Sequence, residues 1–128
     1  MTDRELLELA AKAAGIDYDE TCTEKDYKFG LWLTMHGEPY EGQRRKWNPL
    51  TDDGDAFRLV VKLRFWIKDF APHDSPELAD LPAFGMVEIW REDDDDPIYV
   101  EWYKPSDGRY AATRRAIVRA AALIGGSK

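Results

Sequence analysis

The sequence has a single cysteine, Cys22, and only two histidines, His36 and His73, in 128 residues. One thiol excludes an intramolecular disulfide and fits a reducing compartment, where a lone cysteine reads as a small, partly buried hydrophobe. Two histidines and one cysteine do not complete a zinc set. No nucleophile-elbow pattern and no glycine-rich phosphate loop is present, and Gly125-Gly126 follows a helical pattern rather than preceding one. No apolar run approaches the roughly 18 residues of a membrane span. The opening Thr2-Asp3-Arg4-Glu5 lacks the basic and apolar regions of a secretory signal. These absences lead to the expectation of a cytoplasmic, non-enzymatic protein with no catalytic, cofactor-binding or metal-ligating residue to name.

What is present suits one folded domain over residues 1–128. Hydrophobic residues make up 44% and aromatics 12%, which argues against disorder over most of the chain. The net charge of −7 disfavours nucleic acid and anionic membranes. The charge is uneven: acids crowd residues 69–96, and residues 109–128 are basic with no acid.

Residues 2–14 read as a helix, with Thr2-x-x-Glu5 as a capping box, an apolar stripe through Leu6, Leu9, Ala10 and Ala13, and Gly15 as the stop. Residues 29–34 read as a strand and 35–49 as a long loop. Thr51 or Asp52 is placed to cap a second helix. Its stripe of Ala56, Leu59, Val60 and Leu63, widened by Phe57 and Val61, implies packing on more than one side. Residues 65–70 fit helix or strand, and the β-branched and aromatic content favours strand. Ser75-Pro76 suggests one helical turn inside a loop. Strands at 86–91 and 98–103 flank Asp93-Asp94-Asp95-Asp96-Pro97 and should pair as a hairpin. Alternation places Ile98, Val100 and Trp102 with Val87 and Ile89 on the core face, and Trp90, Tyr99 and Tyr103 on the other. A last helix, from about 110 to 124, has Asp107 as a cap, Tyr110, Ile117, Ala121 and Ile124 in its core stripe, and Arg115 and Arg119 on a more exposed one. It should stop at Gly125-Gly126. The expected fold is α+β: a small, mostly antiparallel sheet of three to four strands with three helices packed on it.

Three segments, residues 1–15 (MTDRELLELAAKAAG), 47–63 (WNPLTDDGDAFRLVVKL) and 110–125 (YAATRRAIVRAAALIG), resemble the phage ABA sandwich domain, a family of small proteins encoded by tailed phages and prophages. The run from Trp47 to Ala56 is the specific part. The resemblance implies helix/sheet/helix layering, and it brings no activity, cofactor or site residue with it.

Four constellations invite a functional reading. Asp52-Asp53-Gly54-Asp55 has hard ligands for Mg²⁺ or Ca²⁺ but not EF-hand spacing, so helix capping is the favoured role. Asp93–Asp96 reads as a solvated hairpin tip, with mimicry of nucleic-acid phosphates as the alternative. Arg109, Arg114, Arg115 and Arg119 would meet phosphates or pair with nearby acids, and the overall acidity favours pairing. Trp90, Tyr99 and Tyr103 form an exposed aromatic platform if the sheet is covered on one side, and a second core if it is covered on both; the family layering implies the latter. The expected partner surface thus comprises Trp90, Tyr99, Tyr103, Arg114, Arg115 and Arg119. The expected function is a phage or prophage accessory protein binding an unknown host or phage protein in the bacterial cytoplasm. The alternative is a nucleic-acid-binding module using the arginine-rich last helix, and an enzyme ranks third.

Overall fold

Local signals at both ends of the first helix do what their chemistry requires. In the computed structural model, which describes residues 1–19, 30–35, 38–72 and 84–127, α1 spans Asp3–Ala14. The Thr2 hydroxyl accepts from the Glu5 N–H at 3.1 Å, and Gly15 closes the helix in the left-handed region (φ 67°). The chain continues through β1 (Leu31–Thr34), β2 (Arg44–Trp47), α2 (Asp53–Leu63), β3 (Phe65–Phe70), β4 (Gly85–Arg91), β5 (Tyr99–Tyr103), a 3₁₀ turn at Pro105–Asp107 and α3 (Arg109–Gly126). This is the expected α+β fold. Among the described residues the strands are all antiparallel and divide into a two-stranded sheet, β1-β2, and a three-stranded sheet, β3-β4-β5. Among the described residues, no helix is long and apolar enough to cross a membrane.

The helix α3 lies at the centre. It packs on α1, on α2 and on the face of the three-stranded sheet formed by β4 and β5. Small side chains make this possible. Ala112, Ala116, Ala120 and Ala121 of α3 are fully buried, as are Ala10 and Ala11 of α1. Gly125 marks a close approach: a β-carbon there would collide with the Leu9 carbonyl oxygen of α1. The expectation that Gly125-Gly126 stops the helix is therefore corrected. The helix runs through both residues, because Gly125 serves packing rather than termination. Tyr110, expected in the core stripe, is 77% exposed, whereas Ile117 and Ala121 are buried. Asp107 does not cap α3. Its carboxylate accepts from the Lys104 N–H at the 3₁₀ turn, and Gly108 occupies the cap position.

The 35–49 segment contains a strand, not only a loop. β2 pairs Arg44, Arg45, Lys46 and Trp47 with Thr34, Leu33, Trp32 and Leu31. Its charged sequence disguises it: Trp47 is buried, while Arg44 and Lys46 stack over the Trp32 ring at 5.1 and 5.5 Å. In α2, Ala56, Leu59 and Leu63 face the core, but Phe57 and Val61 are exposed, so the helix packs along one side only among the described residues. It ends at Arg64, which adopts a left-handed conformation (φ 58°) and turns the chain directly into β3. The suggested helical turn at Ser75-Pro76, and the residues Cys22, His36 and His73, lie outside the described residues.

Two neighbouring glycines give a paired test of the α1–α3 contact. Gly125→Ala should destabilise the protein by about 1–3 kcal/mol through overpacking. Gly126→Ala, with open space around it, should be neutral or stabilising by up to about 1 kcal/mol, since alanine favours helix. Urea denaturation midpoints check both. Equal midpoints for the two variants would contradict the close approach.

Candidate functional site: a buried glutamate and an exposed tryptophan face

The β4–β5 hairpin forms as its sequence suggests, with Gly85, Val87 and Ile89 opposite Tyr103, Glu101 and Tyr99. Paired residues in an antiparallel ladder share a face, so this register puts Tyr99, Glu101 and Tyr103 on the helix-covered side. The expected assignment is thereby reversed for β5, whereas Val87 and Ile89 lie in the core and Trp90 on the other side, as expected. Tyr103 is 2% exposed and Glu101 6% exposed, whereas Trp102, expected in the core, is 63% exposed. Gly85 leaves room for this arrangement: the Tyr103 ring lies where its β-carbon would be.

The physical cause of the reversal is Glu101. Its carboxylate accepts from Arg119 Nη1 at 2.7 and 2.8 Å, from Arg115 Nε at 3.1 Å and from the Tyr99 hydroxyl at 2.7 Å. Arg119 Nη1 also donates to the Tyr99 oxygen at 3.2 Å. A buried carboxylate is tolerable only when paired and fully hydrogen-bonded, and only the inward face of β5 meets the arginines of α3. Arg115 and Arg119 are thus paired with an acid, the role their setting in an acidic chain favoured, though half-buried rather than on a more exposed stripe. Arg114 is likewise engaged, donating to the Leu50 carbonyl at 2.9 Å and to Asp53 at 2.6 Å. Arg109 pairs with Asp69.

The aspartate run at the start of α2 is used in the same way. Asp52 accepts from the Asp55 N–H at 2.8 Å. Asp55 is buried, accepting from Arg45, Arg58 and the Asn48 N–H. Capping and pairing therefore account for these carboxylates. Among the described residues, no group of three histidine, cysteine, aspartate or glutamate side chains is placed to hold a metal ion.

Of the expected partner-surface residues, Tyr99, Arg115 and Arg119 come together around Glu101, Tyr103 is core, and Trp90 stands on the opposite side of the sheet. That outer side holds residues the sequence reading did not single out. Across the sheet run three rows: Trp66 beside Trp90; Lys68, Glu88 and Val100; and Phe70, Met86 and Trp102. Trp66 is 61% and Phe70 49% exposed. Lys68 leans over the Trp90 ring at 4.6 Å, and the buried Trp90 indole N–H has no acceptor among the described residues. The face is apolar with one charge of each sign. The signal for it was the shared parity of Trp66, Lys68 and Phe70, readable only once β3 was known to pair with β4.

No family model, curated protein or solved structure matches the chain.

Burial, followed by the hydrogen bond to Glu101, raises the pKa of Tyr99; burial, followed by the charge of Asp69, raises that of Tyr103. The folded state therefore holds both phenolic protons more tightly than the unfolded chain, where tyrosine titrates near pH 10. The resulting stability is fully present below about pH 10 and is lost as pH rises through the folded values. Urea midpoints should fall above about pH 10, and the fall should be shallower in Tyr99→Phe and Tyr103→Phe. An unchanged slope in both variants would contradict this assignment.

Proposed function

We propose that the chain is a non-enzymatic accessory protein of phage or prophage origin, acting in the bacterial cytoplasm, and that the outer face of the three-stranded sheet is where it meets a protein partner. The observation that carries the reading is the exposure of Trp66 and Trp102 on one apolar sheet face. Aromatic side chains bury about 150–250 Å² each, so Trp66, Phe70 and Trp102 together present on the order of 300–400 Å². Exposed apolar surface of this extent, here interrupted by Lys68 and Glu88, is often functional, and tryptophan is among the residues most enriched in binding hot spots. The phage assignment is supported by the resemblance of residues 1–15, 47–63 and 110–125 to the phage ABA sandwich domain.

The pairing of the α3 arginines favours a protein partner over nucleic acid. Arg114, Arg115 and Arg119 each pair with a carboxylate of the fold, so a phosphate backbone would have to share guanidinium groups held in place by Asp53 and Glu101. The net charge of −7 and the run Glu92–Asp96 at the tip of the β4–β5 hairpin act in the same direction.

The test is affinity capture from bacterial lysate with the wild type and with Trp66→Ser/Trp102→Ser. A single bacterial or phage protein should be retained by the wild type, bind again when purified, and lose more than about tenfold in affinity to the double variant. The double variant should keep the wild-type melting temperature, since both side chains face solvent. Submicromolar, salt-sensitive binding of DNA, lost in Arg115→Ala/Arg119→Ala, would overturn the reading in favour of a nucleic-acid interface.

A further inference from the structure

On the helix-covered side of the sheet, away from the tryptophan face, a cleft of about 320 Å³ opens where α1, α3 and β5 meet. Its walls are Leu6 of α1, Ala122 and Leu123 of α3, and Met1; Arg119 and Tyr99 form its polar side. We infer that this cleft is a binding site for a small monocarboxylate with an apolar tail.

The charge balance beside it is the first reason. Two guanidinium groups, Arg115 and Arg119, surround one carboxylate, Glu101, and among the described residues no other carboxylate bonds to either arginine. The cluster therefore carries one positive charge beyond what Glu101 requires. The hydrogen-bond inventory is the second reason. Arg119 directs all three of its bonds through Nη1, to Tyr99 and to both oxygens of Glu101. Its Nε and Nη2 donors have no partner among the described residues, although the side chain is 39% exposed and lines the cleft. An Nε/Nη2 edge is the planar, two-donor fork that matches a carboxylate. The walls supply the third reason. Arg119, Ala122 and Leu123 stand three and four residues apart, so they share one face of α3. Opposite them is Leu6. A headgroup on Arg119 would thus carry its tail along an apolar strip. The volume lies at the small end of ligand pockets, which suits a medium-chain acid rather than a cofactor.

Octanoate is the probe, with octan-1-ol and inorganic phosphate as the arms that separate tail from headgroup. Isothermal titration of the full chain should give saturable octanoate binding with a Kd below about 1 mM. Octan-1-ol should bind at least about tenfold more weakly, and phosphate likewise, because each offers only half of the recognition. Leu123→Glu puts a carboxylate one helical turn from Arg119, at an exposed position of the cleft wall, where it repels the ligand headgroup and occupies the free edge of Arg119; it should abolish octanoate binding without lowering the melting temperature. Arg119→Gln should weaken it at least about tenfold. No octanoate binding by the wild type, equal binding of octan-1-ol or phosphate, or undiminished octanoate binding by Leu123→Glu would each overturn the site. If Arg119→Gln unfolds, the Leu123→Glu result alone decides.

Discussion

The ion pairing of Glu101 with Arg115 and Arg119 is the constraint from which the arrangement of the three-stranded sheet follows. A strand has only two ways to present its alternate side chains, and a one-residue shift exchanges them all. β5 offers an apolar candidate for each: Val100 and Trp102 on one parity, Tyr99 and Tyr103 on the other. Transfer free energy alone separates these sets weakly. An unpaired carboxylate inside the protein costs several kcal/mol, and breaking a buried pair by removing one partner costs on the order of 3–5 kcal/mol. The arginines are partly exposed, which reduces their share. The remaining difference still favours the parity in which Glu101 reaches α3. Trp102 is then forced outward, beside Met86 and across the sheet from Phe70.

The same constraint divides the molecule into two surfaces with different chemistry. Inside, Tyr99, Glu101, Arg115 and Arg119 form a hydrogen-bonded cluster between β5 and α3, bordered by the cleft at Leu6 and Leu123. Outside, the tryptophans, Phe70 and Met86 form an apolar face on which Lys68 and Glu88 stand side by side. A protein that used its arginines for phosphates would leave them extended and unpaired. Here Arg114, Arg115 and Arg119 each hold a carboxylate of the fold, and Trp66 and Trp102 are left exposed.

Short-range chemistry was legible in the sequence and long-range pairing was not. The Thr2 cap, the cap at Thr51 or Asp52, the Gly15 stop and the acidic hairpin all depend on residues within a few positions of one another, so their signals are local. β2 was missed because Arg44, Arg45 and Lys46 carry no apolar alternation; its one core residue is Trp47. Gly125 looked like a terminator because the Leu9 backbone that crowds it lies on a different helix. The site suffered most. Tyr99, Arg115 and Arg119 were singled out and pairing of the arginines with acids was the favoured reading, but the acid itself was not named, because Glu101 lies 14 and 18 positions before its arginines and nothing local marks it as buried. Trp66 and Trp102 were overlooked as a pair for the same reason: the ladder through β4 that sets them on one face is a tertiary fact.

The orientation of β5 is tested most directly by thiol labelling of single cysteines in a Cys22→Ser background. Trp102→Cys and Tyr103→Cys place the probe at adjacent positions on opposite faces. In the folded protein, the thiol at 102 should react within about tenfold of its rate in the urea-unfolded chain, and the thiol at 103 at least about a hundredfold more slowly than in its unfolded chain. Rapid reaction at 103 with protection at 102 would show that the carboxylate of Glu101 points to solvent, and would contradict both the buried cluster and the tryptophan face built upon it.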